Sequence, residues 1–290
     1  MYNEDERLKI TNDWVFKQIF GNQKNSKLLI NLLEGILERK ITKIEITKDA
    51  SLEKQAEKEK LGIMDIKALI DDIEIVNIEI QVRNQNNMIE RSLFYWAGLY
   101  RESLEKGENY NRIKKTIGIR LLEYNIFDTG VFHEIGRIKR DYENTILTDK
   151  LELHFIQMPK YLKAENKYET KLGQWLALLS NEKGELEKAM KENKKELKET
   201  QKCIKEAEKE LEYLTGDEEA KRIAFLREKY IRDEATNLYW AKEEGKQEGK
   251  QEGIEETAKE MLKENMPIEL ISKVTKLSVD RIKELRKTLK

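Results

Sequence analysis

Residues 62–83 read GIMDIKALIDDIEIVNIEIQVR, and this stretch decides the fold. Apolar and polar side chains alternate on either side of Asp71-Asp72, the pattern of two half-buried strands joined by a turn. On the second strand the alternation puts Glu79, Gln81 and Arg83 on one face and Ile78, Ile80 and Val82 on the other. On the first, Asp65 and Lys67 share a face opposite Met64, Ile66 and Ala68. In this reading Asp65 falls in the turn-proximal part of the hairpin and Glu79 in its far part. Two acids on neighbouring strands, each backed by apolar residues, can hold a divalent metal against a phosphodiester.

Helices are expected before the hairpin. Asn12 and Asp13 precede Trp14, Val15, Phe16, Ile19 and Phe20, an N-cap followed by an apolar stripe, so the pattern predicts a helix over 13–21 ended by Gly21. Leu28, Leu29, Leu32, Leu33, Ile36 and Leu37 repeat at helical spacing over 25–39. Residues 41–47 read as a strand, and the polar stretch 48–61 as a loop or frayed helix. After the hairpin, 88–106 is an amphipathic helix stopped by Gly107. Strands are expected over 116–122, 131–140 and 151–157, the last halted by Pro159. Helices alternating with paired and crossover strands make an α/β (α+β) pattern, with a mixed sheet flanked by helices.

Composition narrows the partners. The 290 residues carry 55 basic and 56 acidic side chains, so no global field draws in nucleic acid and any such binding relies on local patches. No apolar run approaches the length of a membrane helix, and Met1 to Arg7 lacks a signal-peptide pattern. The single cysteine, Cys203, excludes an internal disulfide and fits a reducing, cytoplasmic setting. Two histidines, His133 and His154, argue against a histidine-rich zinc site and read as structural.

Phosphodiester hydrolysis needs a metal, a polar group that orients water, and a basic surface for the backbone. Mg²⁺ takes oxygen ligands and commonly one or two carboxylates. Asp65 and Glu79 supply these, the backbone carbonyl of Ile80 is a further ligand, and Gln81 is placed to orient water and contact the phosphate. Taken by itself, E-x-Q on a strand is common on solvated sheet faces.

The context carries more weight. Asn12–Gly21 (NDWVFKQIFG), Met64–Ala68 (MDIKA) and Asn77–Gln81 (NIEIQ) are followed by Glu90–Trp96 (ERSLFYW), Leu104–Tyr110 (LEKGENY), Leu153–Lys160 (LHFIQMPK) and the run 217–245. In order and spacing this series resembles the recombination-promoting nuclease and transposase-like family, a bacterial branch of the PD-(D/E)XK nuclease superfamily. The resemblance spans nearly the whole chain. It implies a restriction-endonuclease-like fold, DNA endonuclease activity, and dependence on Mg²⁺, with Mn²⁺ or Ca²⁺ as alternatives. Carried over, Asp65 is the motif aspartate and Glu79 the second acid. Gln81 stands where lysine is usual, which leaves the positive charge to the metal or to another cation, Lys67 or Lys17. Met64 stands in place of proline, and Gln157 in place of an expected acid. Asp13 is an additional metal-ligand candidate, against the plain role of an acid in a first helical turn. Arg83, Arg91 and Tyr95 are candidates for DNA contact, whereas Trp96, Leu99 and Tyr100 read as core.

The C-terminal half changes character. Of residues 181–212, 19 of 32 are charged, and Met190, Leu197, Ile204 and Leu211 recur every seven residues beside a half-polar companion column. That predicts a helical arm folded against its neighbour rather than a long coiled coil. Gly245, Gly249 and Gly253 read as a linker, or as a weak helix that firms up on dimerisation. The tail predicts two short helices, the first begun by Pro267 and the second capped by Ser278 and rich in basic residues, a helix-turn-helix-like module. The expected division is a nuclease domain over 1–165, a charged arm over 166–243, and a linker and tail over 244–290. The expected partners are DNA and a second copy of the chain through the C-terminal helices, with no membrane and a cytoplasmic, nucleoid-associated setting. Two other functions fit less of the pattern: a catalytically inactive, DNA-binding version of the scaffold, motivated by the missing lysine, and an oligomeric scaffold acting through 181–290.

Overall fold

The computed structural model describes residues 7–47, 65–84, 86–191 and 195–289. The polar stretch 48–61 and Met64 lie outside the described residues. The chain forms two compact units, residues 1–228 and 229–290.

In the first unit, α1 (Asp13–Phe20) and α2 (Ser26–Leu37) lead into β1 (Ile44–Ile46). The hairpin follows as β2 (Ile66–Ile70) and β3 (Glu74–Gln81), then α3 (Met88–Glu102) and β4 (Lys115–Leu122). Next come β5 (His133–Gly136), the small ribbon β6 (Lys139–Arg140) and β7 (Thr145–Ile146), and β8 (Leu151–Gln157). The unit is completed by α4 (Met158–Tyr161), α5 (Lys171–Leu179), α6 (Lys183–Lys191) and α7 (Lys198–Gly216), and by the start of α8 (Glu218–Lys263). The main sheet has the order β1-β2-β3-β4-β8-β5 and is mixed. β3, β4 and β8 run parallel, while β2 and β5 are antiparallel to their neighbours. The turn is made by Asp71 and Asp72, both left-handed, and the Asp71 carboxylate accepts hydrogen bonds from the backbone of Thr42 and Lys43.

The strand alternation is realised as two unlike faces. Ile66, Ala68, Ile70, Val76, Ile78, Ile80, Ile117, Ile119 and Leu121 join one large core with α1, α2, α5 and α7. The opposite face of the sheet gives a smaller cluster of Leu122, Leu153 and Phe155 beneath Met88 and Trp96 of α3. The sheet is thus a layer between helices; Lys67, Asn77 and Glu79 face α3, whereas Glu74 pairs with Arg39 just beyond α2.

Two expectations are corrected. The register Ile66↔Ile78 sets Asp65, one residue further, level with Glu79. Both acids therefore lie at the open end of the hairpin, and neither is near the turn. The region 131–140 is not one strand but β5 and β6, separated at Arg137-Ile138. Leu186, Cys203, Ile204, Ala207 and Leu211 of the charged arm are buried in the main core, and the first compact unit extends to 228.

In the second unit, α8 continues through Gly245, Gly249 and Gly253 without a break, so of the two expected forms, linker or weak helix, the helix is the one present. Lysine, glutamine and glutamate between the glycines are good helix formers and offset part of the roughly 1 kcal/mol each glycine costs. α9 (Ile268–Thr275) and α10 (Val279–Thr288) fold back on α8, burying Ala258, Ile271, Leu277, Ile282 and Leu285. Ser278 caps α10, its Oγ accepting from Arg281 N at 3.2 Å. Pro267 is the N-cap residue of α9 rather than part of its first turn. Among the described residues, no helix is long and apolar enough to cross a membrane.

Candidate active site

β3 is the central element, flanked by β2 and β4, and its face toward α3 carries Asn77 and Glu79. In the parallel pairing with β4, Asn77 lies beside Gly118 and Glu79 beside Arg120. Glu79 is 4% exposed, and its two carboxylate oxygens face different arginines. Oε1 accepts from Arg91 Nη2 of α3 at 2.8 Å, and Oε2 lies 3.6 Å from Arg120 Nε. Arg120 Nη1 donates to Asn77 Oδ1 at 2.7 Å and to the Ile119 carbonyl at 3.1 Å. Asn77 Nδ2 in turn donates to Asp65 Oδ2. Asp65 and Glu79 are therefore joined through Asn77 and Arg120 in one polar chain. Burial is the largest influence on the Glu79 carboxyl and raises its pKa above the usual carboxylate range. The two arginines oppose that rise, and the charges of Asp65 and Asp13 reinforce it.

Beside this chain runs a cleft of about 500 Å³ between the sheet and α3, with Asp65 and Asn77 on one side and Tyr95, Gly98 and Arg101 on the other. The Arg91 guanidinium lies over the Tyr95 ring, 5.7 Å from its centre. Arg91 and Tyr95 are thus brought to the site.

Other expected residues are placed differently. The Lys67 ammonium pairs with Glu102 of α3 at 3.3 Å, at the rim of the cleft, while the cations against Glu79 are arginines. The Gln81 amide turns toward the Arg83 carbonyl at 3.4 Å. The Gln81 carbonyl accepts from Glu123 N of the chain beyond β4, so backbone alternation directs the Ile80 carbonyl to the other side, that of Asp65. Asp13 is spoken for. Its Oδ2 accepts from Arg227 Nε of α8 at 2.6 Å, and its Oδ1 from Trp14 N at 2.8 Å. Gln157 is fully buried and holds the loop after β4, its Oε1 accepting from Ile126 N and Phe127 N at 2.9 and 3.1 Å. Trp96 donates to the Thr116 carbonyl at 3.0 Å and stacks on Tyr100, consistent with a packing role. His133 and His154 form a separate relay, described below.

Sequence reasoning missed Arg120 and did not single out Asn77 as a site residue. The signal was present: one arginine interrupts the apolar run of β4, and a lone cation in a buried strand calls for a partner.

A family model described as PD-(D/E)XK nuclease family transposase matches residues 10–241. The chain belongs to this family. The match covers the whole first unit from α1 onward, all of the sheet, and α8 up to Ala241. No curated protein and no solved structure matches the chain. Membership in a PD-(D/E)XK nuclease family gives the sheet its assignment as a nuclease core, and a nuclease family implies DNA as substrate. Nucleases of this superfamily typically use divalent metals. Among the described residues, no group of three or more His, Cys, Asp or Glu could hold a metal. What this family member offers is a pair of hard oxygen donors, Asp65 and Glu79, level on adjacent strands. That donor set suits a cation such as Mg²⁺, which uses one or two carboxylates and otherwise keeps water.

Proposed function

We propose that this family member is a Mg²⁺-dependent DNA endonuclease whose reaction centre lies at the open end of the β2–β3 hairpin. The observation that carries the reading is the joining of Asp65 and Glu79 through Asn77 and Arg120 beside an open cleft. In this reading Asp65, Glu79 and the Ile80 carbonyl hold the cation, with Mn²⁺ or Ca²⁺ as alternatives. The cation, when bound, neutralises phosphate charge and makes water more acidic. Gln81 orients water from the strand end. Arg91 grips Glu79, and a phosphate oxygen is an equivalent partner for the same guanidinium. Tyr95 and Arg83 flank the DNA, and Lys67 serves the rim. Asp13, tied to Arg227, contributes negative potential rather than a ligand. The setting in this reading is recombination, mobile elements or defence, in a bacterial cytoplasm, with the C-terminal unit as a place for self-association.

A second reading is a DNA-binding protein on an inactive nuclease scaffold. Gln81 in place of lysine, and the arginines against Glu79, favour it. One experiment separates them: supercoiled plasmid is incubated with the full chain and Mg²⁺, Mn²⁺ or Ca²⁺, beside Asp65→Ala and Glu79→Gln. The endonuclease reading expects nicking or linearisation that both variants lose by about 100-fold or more. Binding of DNA without cleavage under any metal would favour the inactive scaffold.

A further inference from the structure

We infer that Arg120 is the positioning cation of this site, supplying from β4 the positive charge that Gln81 cannot carry and locking Asn77 onto Asp65. The inference rests on the nuclease reading above.

Three observations converge on it. First, Arg120 is 1% exposed in the middle of an apolar strand, where an isolated guanidinium is costly and a well-packed hydrophobic residue would serve stability as well or better. Second, its hydrogen bonding is incomplete. Nη1 is satisfied by Asn77 and Ile119, but Nε has no hydrogen-bond partner and stands 3.6 Å from Glu79 Oε2, too far for a hydrogen bond yet close for charge. Third, arginine can only donate. Asn77 must therefore offer it Oδ1, and the amide that remains is turned on Asp65 Oδ2. One side chain thus fixes the orientation of a second and, through it, of the motif aspartate. It also sets a charge beside the other acid. Arg91 does not duplicate this. It is 18% exposed and lies on Tyr95 at the cleft, where substrate reaches it.

A charge-positioning role and a merely structural one predict different behaviour. The test uses the full chain as wild type, Arg120→Gln, Arg120→Lys and the double variant Gln81→Lys/Arg120→Gln. Free Mn²⁺ is measured by electron paramagnetic resonance, plasmid cleavage is followed, and circular dichroism checks folding. Loss of the neighbouring positive charge leaves the two carboxylates more attractive to a cation. Arg120→Gln is therefore expected to bind Mn²⁺ several-fold more tightly, while cleavage falls about 100-fold, the scale of a lost preorganised electrostatic group. Returning a cation at the motif position in the double variant is expected to restore cleavage to within about tenfold of wild type and to relax the Mn²⁺ affinity.

A folded Arg120→Gln that cleaves like wild type overturns the inference, as does one whose Mn²⁺ affinity falls with its activity. A folded double variant without recovery does the same. If Arg120→Gln does not fold, Arg120→Lys decides: cleavage within about tenfold of wild type supports the role, and a larger loss, or loss of the fold, makes Arg120 structural. Wild type that neither binds Mn²⁺ nor cuts DNA defeats the nuclease reading itself. Wild-type cleavage with indifferent Arg120 variants defeats only the inference.

Discussion

His133, His154 and Glu152 form a second polar chain, buried at His154 and half-buried at its two ends, on the edge of the sheet away from the hairpin. His133 Nε2 and His154 Nδ1 are 2.8 Å apart, and His154 Nε2 is 2.9 Å from Glu152 Oε1. Burial, and then the neighbouring ring, pull the His133 pKa down to about 4. The hydrogen bond from His154 is the first cause holding Glu152 down at about 2. The two shifts act in one direction on stability. As pH falls below the ordinary histidine value of about 6.5, the unfolded chain takes up a proton that folded His133 refuses until about pH 4. Below the ordinary glutamate value of about 4.5, the stabilisation from Glu152 is lost in turn, down to about pH 2. Stability is therefore full above about pH 6.5 and declines on acidification, with His133 responsible for the first part. The expected outcome is a thermal midpoint lower at pH 5 than at pH 7.5, and a smaller drop in His133→Asn. An unchanged drop in that variant would remove His133 from the explanation. Both rings are spent on each other and on Glu152.

At the scale of elements, helix packing makes opposite demands on glycines that look alike in sequence. A Cβ on Gly35 of α2 would come within 2.9 Å of the Leu172 backbone nitrogen in α5. A Cβ on Gly249 of α8 would meet nothing within 4 Å. Gly35→Ala is therefore expected to destabilise the first unit by about 1–3 kcal/mol through forced separation of α2 and α5. Gly249→Ala should instead raise the helicity and stability of the second unit by about 0.5–1 kcal/mol. Chemical denaturation monitored by circular dichroism checks both signs. The same contrast shows what was legible in the chain. Alternation and the 3.6-residue repeat gave β3, β4, β8, α1 and α2 to within about two residues at each end, because one-sided burial writes itself into local order. The acids at Asp65 and Glu79 were legible for that reason. Arg120 was legible only as a buried cation in need of a partner; that the partner is Glu79 depends on the parallel register of β3 and β4, far apart in sequence, which no local period encodes. The glycine repeat left two readings open, a linker or a weak helix, and α8 realises the helical one because the lysine, glutamine and glutamate between the glycines are good helix formers.

At the scale of the molecule, the charged arm and the tail part company. Residues up to 228 share the core of the sheet, and their last described tie to α1 is the pair of Arg227 with Asp13, with Asn12 donating to the Ala224 carbonyl at 3.1 Å. Residues 229–290 carry an apolar cluster of their own. Deletions on the two sides of Arg227 should therefore behave differently. A chain ended at Glu243 keeps Arg227 and the whole first unit, so its thermal midpoint should stay near that of the full chain, and cleavage of naked plasmid should persist if the reaction centre is the one proposed. A chain ended at Gly216 leaves the buried Asp13 carboxylate without its guanidinium, and removing one partner of such a pair costs about 3–5 kcal/mol. It also strips Ala224 from the core. The shorter chain should melt well below the longer one, or fail to accumulate folded. The point variant Arg227→Ala in the full chain isolates the ion pair from the lost packing. A midpoint equal to wild type in that variant would show that the apolar contacts of the arm and the Asn12–Ala224 hydrogen bond hold it to α1 without net help from the ion pair.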